Sequence, residues 1–169
     1  VLRSMYENVQ CCIRSGNVTS DFFPCFRGLK QGCKCSPKIF SIVINTLASE
    51  VKDKCKHGIQ LMPNTPEISI LLFADDIVLL SDTVIGLQNQ IDTLQLASSR
   101  LGLEVNLQKT KVMIFRKGGH IAAHERWFIN GNVLEVVNDY KYLGYKFTTK
   151  MSSNIAMVEL ASRGKAAAV

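Results

Sequence analysis

Two adjacent acids, Asp75 and Asp76, stand in the middle of residues 68–81, ISILLFADDIVLLS, a run that is otherwise almost wholly apolar. Ionised carboxylates are costly beside so much apolar surface unless water or a cation compensates them. Side by side, two carboxylates are oxygen donors of the kind a hard cation such as Mg2+ accepts. They are also good turn residues, because Asp can hydrogen-bond its own backbone. This stretch alone favours the turn, so a metal site has to draw its support from elsewhere in the chain.

The flanks of the pair are short and rich in β-branched and aromatic residues, the pattern of buried strands. The acids then sit at the tip of a strand–turn–strand hairpin, where they reach water or an ion. Upstream, residues 27–37 read RGLKQGCKCSP, and Gly28 and Gly32 make this a loop. Ser36 supplies a helix N-cap oxygen and Pro37 fits the first helical position. That helix runs to about Lys54, with Phe40, Ile44, Leu47 and Val51 on one face and Val43 beside them.

Downstream, Asp82 or Thr83 caps a helix that ends near Leu101, with Gly102 at the stop. Its apolar face carries Val84, Leu87, Ile91, Leu94 and Leu101. Residues 111–115 read as a strand. Asn130-Gly131 is the strongest short hairpin signal, and residues 139–147, DYKYLGYKF, read as a further strand or tight hairpin. Apolar spacing predicts a helix over residues 1–12, and residues 154–169 also look helical. Residues 18–26 look extended, although Pro24 argues against a central strand. Helices and antiparallel strands in this order fit an α+β domain, a sheet with helices packed on one face and the other face open to a large ligand.

The 169 residues suffice for one domain with a real core. The composition, 47% hydrophobic and 20% charged, is that of a globular protein, and the formal net charge of +6 favours a polyanionic partner. None of the six cysteines forms a C-x-x-C pair, and the three histidines do not complete a zinc spacing. They read as reduced thiols of an intracellular, reducing compartment, nuclear or cytoplasmic. The sequence shows neither a signal peptide nor a membrane span.

Four stretches together resemble the palm of a reverse transcriptase, most closely those of non-LTR retrotransposons. GLKQGCKCSPKIF, residues 28–40, carries Gly28, Gln31, Gly32, Ser36, Pro37 and Phe40 at the family's spacing. FADD, residues 73–76, supplies the acid pair. LGLEVNLQKTK, residues 101–111, is similar to the family's next motif through Gly102, Asn106, Lys109 and Thr110. YLG, residues 142–144, follows the Asn130-Gly131 hairpin as the primer-grip region does. The resemblance covers nearly the whole chain.

It implies RNA-directed DNA synthesis from dNTPs on an RNA template and DNA primer, with two Mg2+ ions. Asp75 becomes the principal metal ligand and Asp76 the accessory one. Gln31 and Gly32 lie beside the nascent base pair, and Ser36 and Pro37 open a helix under the template. Lys109 contacts the triphosphate or protonates pyrophosphate, and Tyr142, Leu143 and Gly144 hold the primer end. The bland alternatives are a glycine-shaped loop, a solvated lysine and ordinary strand aromatics.

The resemblance also implies an incomplete palm over residues 1–150 and the start of a thumb-like helix over 151–169. The fingers, most of the thumb and the first catalytic Asp are expected to lie outside the chain, since Asp21 is in the wrong place for that role. A fragment of this kind is expected to be inactive alone. A non-catalytic nucleic-acid-binding remnant is the second reading.

Overall fold

The computed structural model describes residues 2–150 except 27, 31, 117 and 118. The predicted helix at 154–169, with its thumb assignment, and Gln31 lie outside the described residues. Contacts divide the chain into two compact units, Val1–Ile42 and Val43–Val169. No helix among the described residues is long and apolar enough to cross a membrane.

The first unit opens with α1 (Leu2–Tyr6), which stops well short of the twelve residues its spacing predicts. Asn8 takes a left-handed conformation, φ 55°, which ends helices. The chain then turns into β1 (Gln10–Cys11), which pairs antiparallel with β4 (Phe23–Pro24). Between them β2 (Arg14–Ser15) and β3 (Val18–Thr19) form a hairpin across Gly16-Asn17, with Gly16 at φ 60°. Pro24 sits in a two-stranded ladder, where its missing N–H disturbs nothing.

Helix α2 (Ser36–Lys54) begins in the first unit and runs into the second. Its start corrects the expected cap by one residue. Cys35 O accepts the first helical bond, from Ile39 N at 3.0 Å, so Cys35 is the cap and Ser36 the first helical residue. The Ser36 hydroxyl is used elsewhere: it donates to Lys30 O at 2.8 Å and meets Tyr6 Oη at 3.1 Å. Pro37, one place further in, still lacks only an N–H that the helix leaves unpaired.

In the second unit Ile44, Leu47, Ala48 and Val51 of α2 are buried, at the three-and-four spacing of one helix face. Leu47, Ala48 and Val51 pack with Ile70 and with Leu94 and Ala97 of α3 (Val84–Arg100). Burial of each large side chain stabilises by about 1.5–3 kcal/mol. Thr83 caps α3, its hydroxyl accepting from Gly86 N at 3.0 Å. At the other end Leu103 N reaches Ser98 O at 2.9 Å and Gly102 N reaches Ser99 O at 3.1 Å. Gly102, at φ 69°, thereby closes a Schellman motif.

A second cluster joins Ile91 of α3 to Val112, Trp127, Ile129 and Leu134. Here β7 (Lys111–Val112) runs parallel to β10 (Glu135–Val136), and β8 (Phe128–Ile129) pairs with β9 (Asn132–Val133) around Asn130-Gly131. The single Trp127 donates from its indole to Val84 O at 3.1 Å, which satisfies its one polar atom in the core. Two hairpins complete the unit, β5 (Ile70–Phe73) with β6 (Asp76–Leu79), and β11 (Asp139–Tyr142) with β12 (Tyr145–Thr148).

The fold is mixed helix and strand, as expected, but the described strands form six two-stranded ladders rather than one sheet. One reason is visible at β8. Its edge away from β9 is occupied by side chains of α3. Gln88 accepts from Phe128 N and donates to Phe128 O, both at 2.9 Å. Gln95 accepts from Asn130 N at 3.0 Å. A helix thus satisfies the backbone groups that a third strand would have paired.

Candidate active site

Asp75 and Asp76 lie where the hairpin expectation puts them. Phe73 pairs with Asp76 across a two-residue turn, Ala74-Asp75. Ala74 is at φ 52°, a left-handed conformation unusual for a residue with a Cβ. Register then assigns the faces. Ile70, Leu72, Ile77 and Leu79 share the side that meets the core, whereas Leu71, Phe73, Asp76 and Val78 share the other. The strands are therefore buried on one face only: Leu71 is 44% and Phe73 58% exposed. Both acids are exposed, and among the described residues neither carboxylate has a hydrogen-bond or ion-pair partner.

The β11–β12 hairpin turns through Leu143 and Gly144, at φ 48° and 82°. Two successive positive values match the right-handed twist of a tight hairpin. Burial pushes the Tyr142 phenol up from its ordinary range, and the charge of Asp76 pushes it the same way. Tyr142 therefore stands within electrostatic reach of the acid-bearing hairpin. Leu143, at the turn, is half exposed.

Lys109 rides on a turn built by Asn106. The Asn106 side chain accepts from Gln108 N at 3.1 Å and Lys109 N at 3.2 Å, and its carbonyl accepts from Thr110 N at 3.0 Å. Tyr140 Oη donates to Lys109 O at 2.9 Å. Tyr140 and Tyr142, two apart on β11, project from one face of that strand. One face of one strand thus touches the Lys109 turn through Tyr140 and senses Asp76 through Tyr142. Tyr140 was not among the expected site residues; the alternation Tyr140-x-Tyr142 was its only sequence signal.

The remaining expected residues belong to the first unit. Gly28 and Gly32 are at φ 89° and 81°, and a Cβ on either would meet nothing within 4 Å. Backbone conformation, not crowding within the chain, is what demands glycine there. Ser36 anchors this loop through Lys30 O, and Lys30 Nζ lies 5.9 Å from the centre of the Tyr6 ring. The Cys33 thiol is held below its ordinary range by the Cys35 backbone N–H, the Ser36 hydroxyl and backbone, and Tyr6, against the effect of burial.

Asp75 and Asp76 offer oxygen donors of the kind Mg2+ takes. Among the described residues, no group of three or more His, Cys, Asp or Glu side chains stands together. The donors therefore fit the ion in kind and fall short of a two-ion site in number.

The profile of the family described as Reverse transcriptase (RNA-dependent DNA polymerase) matches residues 1–147. The chain belongs to the reverse transcriptase family. Within it, the relatives are polyproteins of R2 elements, which places the chain with the reverse transcriptases of non-LTR retrotransposons. A retrovirus-related Pol polyprotein from a type-1 R2 element of Popillia japonica is 29% identical over 128 residues, 72% of this chain and 21% of the relative. That from the type-2 element R2DM of Drosophila melanogaster is 28% identical over 158 residues, 87% of this chain and 14% of the relative. A type-1 R2 polyprotein of Nasonia vitripennis is 24% identical over 131 residues, covering 73% and 12%. The chain spans about a fifth or less of the length of these curated relatives.

Proposed function

We propose that these residues are the palm portion of an RNA-directed DNA polymerase that extends a DNA primer on an RNA template with dNTPs. The observation that carries this reading is the exposed Asp75-Asp76 pair on a tight hairpin, with Tyr142 beside Asp76, in a chain of this family. Two Mg2+ ions, when bound, would activate the primer 3′ oxygen and stabilise the leaving pyrophosphate. Asp75, at the turn, is the principal ligand, and Asp76, the first residue of β6, is the accessory one.

Lys109 meets the triphosphate as a cation or gives a proton to the departing pyrophosphate. Tyr142, Leu143 and Gly144 hold the primer end beside the acids. Gln31, Gly32, Ser36 and Pro37 serve the nascent base pair and the template, with Gly32 leaving its backbone open to a base or sugar. The thiols suit an intracellular, reducing compartment.

The test has two arms. Primer extension by the longer polypeptide that contains these residues should depend on Mg2+ and be lost in Asp75→Asn. The 169-residue chain alone should incorporate no nucleotide, because two carboxylates leave the ion site short of ligands; Asp75-dependent incorporation by the chain alone would overturn that part.

A second reading, a nucleic-acid-binding remnant without catalysis, draws on the same shortfall of donors. It requires that the chain bind an RNA–DNA hybrid by fluorescence anisotropy and that the longer polypeptide incorporate nothing.

A further inference from the structure

The first unit brings two cysteines together across the β1–β4 ladder. Cys11 pairs with Phe23, and Cys25 N donates to Val9 O at 2.8 Å, extending the same register by one step. Phe23 and Cys25 are two apart, so Cys11 and Cys25 project from one face of the ladder as diagonal neighbours. Cys25 is the neighbouring group that acts most strongly on the Cys11 thiol. Cys12 alternates to the other face. Cys25 is exposed. Cys11, half-buried, lines an open cleft of about 640 Å³ together with Glu7, Gln10 and Lys30. Small solutes therefore reach Cys25 and the cleft that Cys11 lines.

We propose that Cys11 and Cys25 are a redox pair, which a peroxide converts reversibly into a disulfide joining β1 to β4. Exposure makes Cys25 the first to react. Burial and the neighbouring thiols push the Cys11 thiol up, with Lys30 opposing them, which suits the resolving partner. The Cys25 thiolate attacks one peroxide oxygen, the O–O bond breaks, and the hydroxide released takes a proton to leave as water. The Cys11 thiolate then attacks the Cys25 sulfenic sulfur. The S–S bond forms, the S–O bond breaks, and a second water leaves. Two thiols have lost two electrons and hydrogen peroxide has gained them.

Closing the bond brings the diagonal sulfurs to about 2.05 Å of each other. The ladder is short and Cys25 lies one residue beyond the end of β4, so the backbone can follow. The bridge would fix the chain just before Gly28, at the entry to the glycine loop, and its exposed Cys25 leaves it open to reduction by a thiol.

The experiment treats the folded 169-residue chain with hydrogen peroxide, blocks remaining thiols and digests with trypsin. Cleavage after Arg3, Arg14 and Arg27 releases peptides 4–14, with Cys11 and Cys12, and 15–27, with Cys25. The expected product is one species joining the two peptides, lighter than their sum by two hydrogens. Fragmentation should place the bond at Cys11, and dithiothreitol should abolish it. It should persist in Cys12→Ser and vanish in Cys11→Ser and in Cys25→Ser. A bond at Cys12, an equal mixture of Cys11 and Cys12 linkages, or oxidation of Cys25 without any link would each overturn the proposal. Because the bond is located in the unsubstituted chain, the result does not depend on any variant folding.

Discussion

The carboxylate of Asp76 and the phenol of Tyr142 belong to different hairpins, and the charge of Asp76 acts on the phenol. Two anions so placed oppose one another, so Tyr142 keeps its proton to higher pH than a free tyrosine. Asp76→Asn removes one cause of that shift and leaves burial, the larger one. Ultraviolet titration should therefore show the Tyr142 phenol ionising at lower pH in Asp76→Asn, without a full return to the ordinary value near 10. For a phenol raised in the folded state, stability is intact below the unfolded pKa and is lost as pH rises through the folded one. Because the phenol is raised less in Asp76→Asn, the variant should accordingly lose less of its own neutral stability on going to alkaline pH than the unsubstituted chain does. An identical titration in both proteins would separate the two side chains.

Ala74 holds φ 52° at the turn that carries Asp75. A Cβ in that conformation costs about 1–2 kcal/mol, and glycine removes it at a smaller cost in unfolded-state entropy. Ala74→Gly should stabilise the chain by about 0.5–1 kcal/mol, read as a higher urea midpoint with unchanged slope. Ala74→Val should do the reverse. A gain in stability from valine would mean that the turn is not left-handed in solution.

Gln90 is 0% exposed, and its amide donates to Leu80 O at 2.9 Å and His57 O at 3.2 Å. Leu80 directly follows β6, and its own N–H reaches Ser69 O at 2.8 Å, so one glutamine fastens the base of the acid-bearing hairpin to α3. Its Oε1 has no partner among the described residues. Gln90→Met keeps the volume but strands two carbonyls, and should cost about 1–3 kcal/mol. Hydrogen exchange should show the loss at β5 and β6 before β11 and β12. Equal loosening of both hairpins would argue against a local tie.

Glu125 is held below the ordinary carboxylate range by the Ala122 backbone N–H and by Arg116, with burial opposing. Arg116 meets both carboxylate oxygens, at 2.7 and 3.0 Å, and closes the polar loop that contains His120 and His124. A depressed carboxyl contributes stability above its unfolded pKa, and the contribution fades as pH falls through the folded value. Glu125→Gln should thus be less stable than the unsubstituted chain at neutral pH. The gap should narrow on acidification below about pH 4. A gap independent of pH would assign the effect to packing rather than charge.

Much of the fold was legible where the signal is local. Thr83 and Gly102 bracket α3 because a cap hydroxyl and a left-handed glycine act within one turn of the helix. The three-and-four spacing of Ile44, Leu47 and Val51 found the buried face of α2. Asn130-Gly131 and Leu143-Gly144 produced their hairpins for the same reason. The misreadings arose where a distant partner intervened. Residues 1–12 carry helical spacing, but pairing with Phe23-Pro24 takes the second half as a strand. Ser36 has a cap residue's chemistry, but its hydroxyl is claimed by Lys30 O and Tyr6.

The sequence by itself determined the family, the acid pair at a hairpin tip and the glycine loop, because motif spacing and turn chemistry are properties of neighbouring residues. Only tertiary structure decided that Asp76 lies on the face of its hairpin away from the core, that Tyr142 senses it, and that Gln90 ties the hairpin to α3. Those relationships depend on strand register and on helix packing, which bring together residues that no local pattern connects.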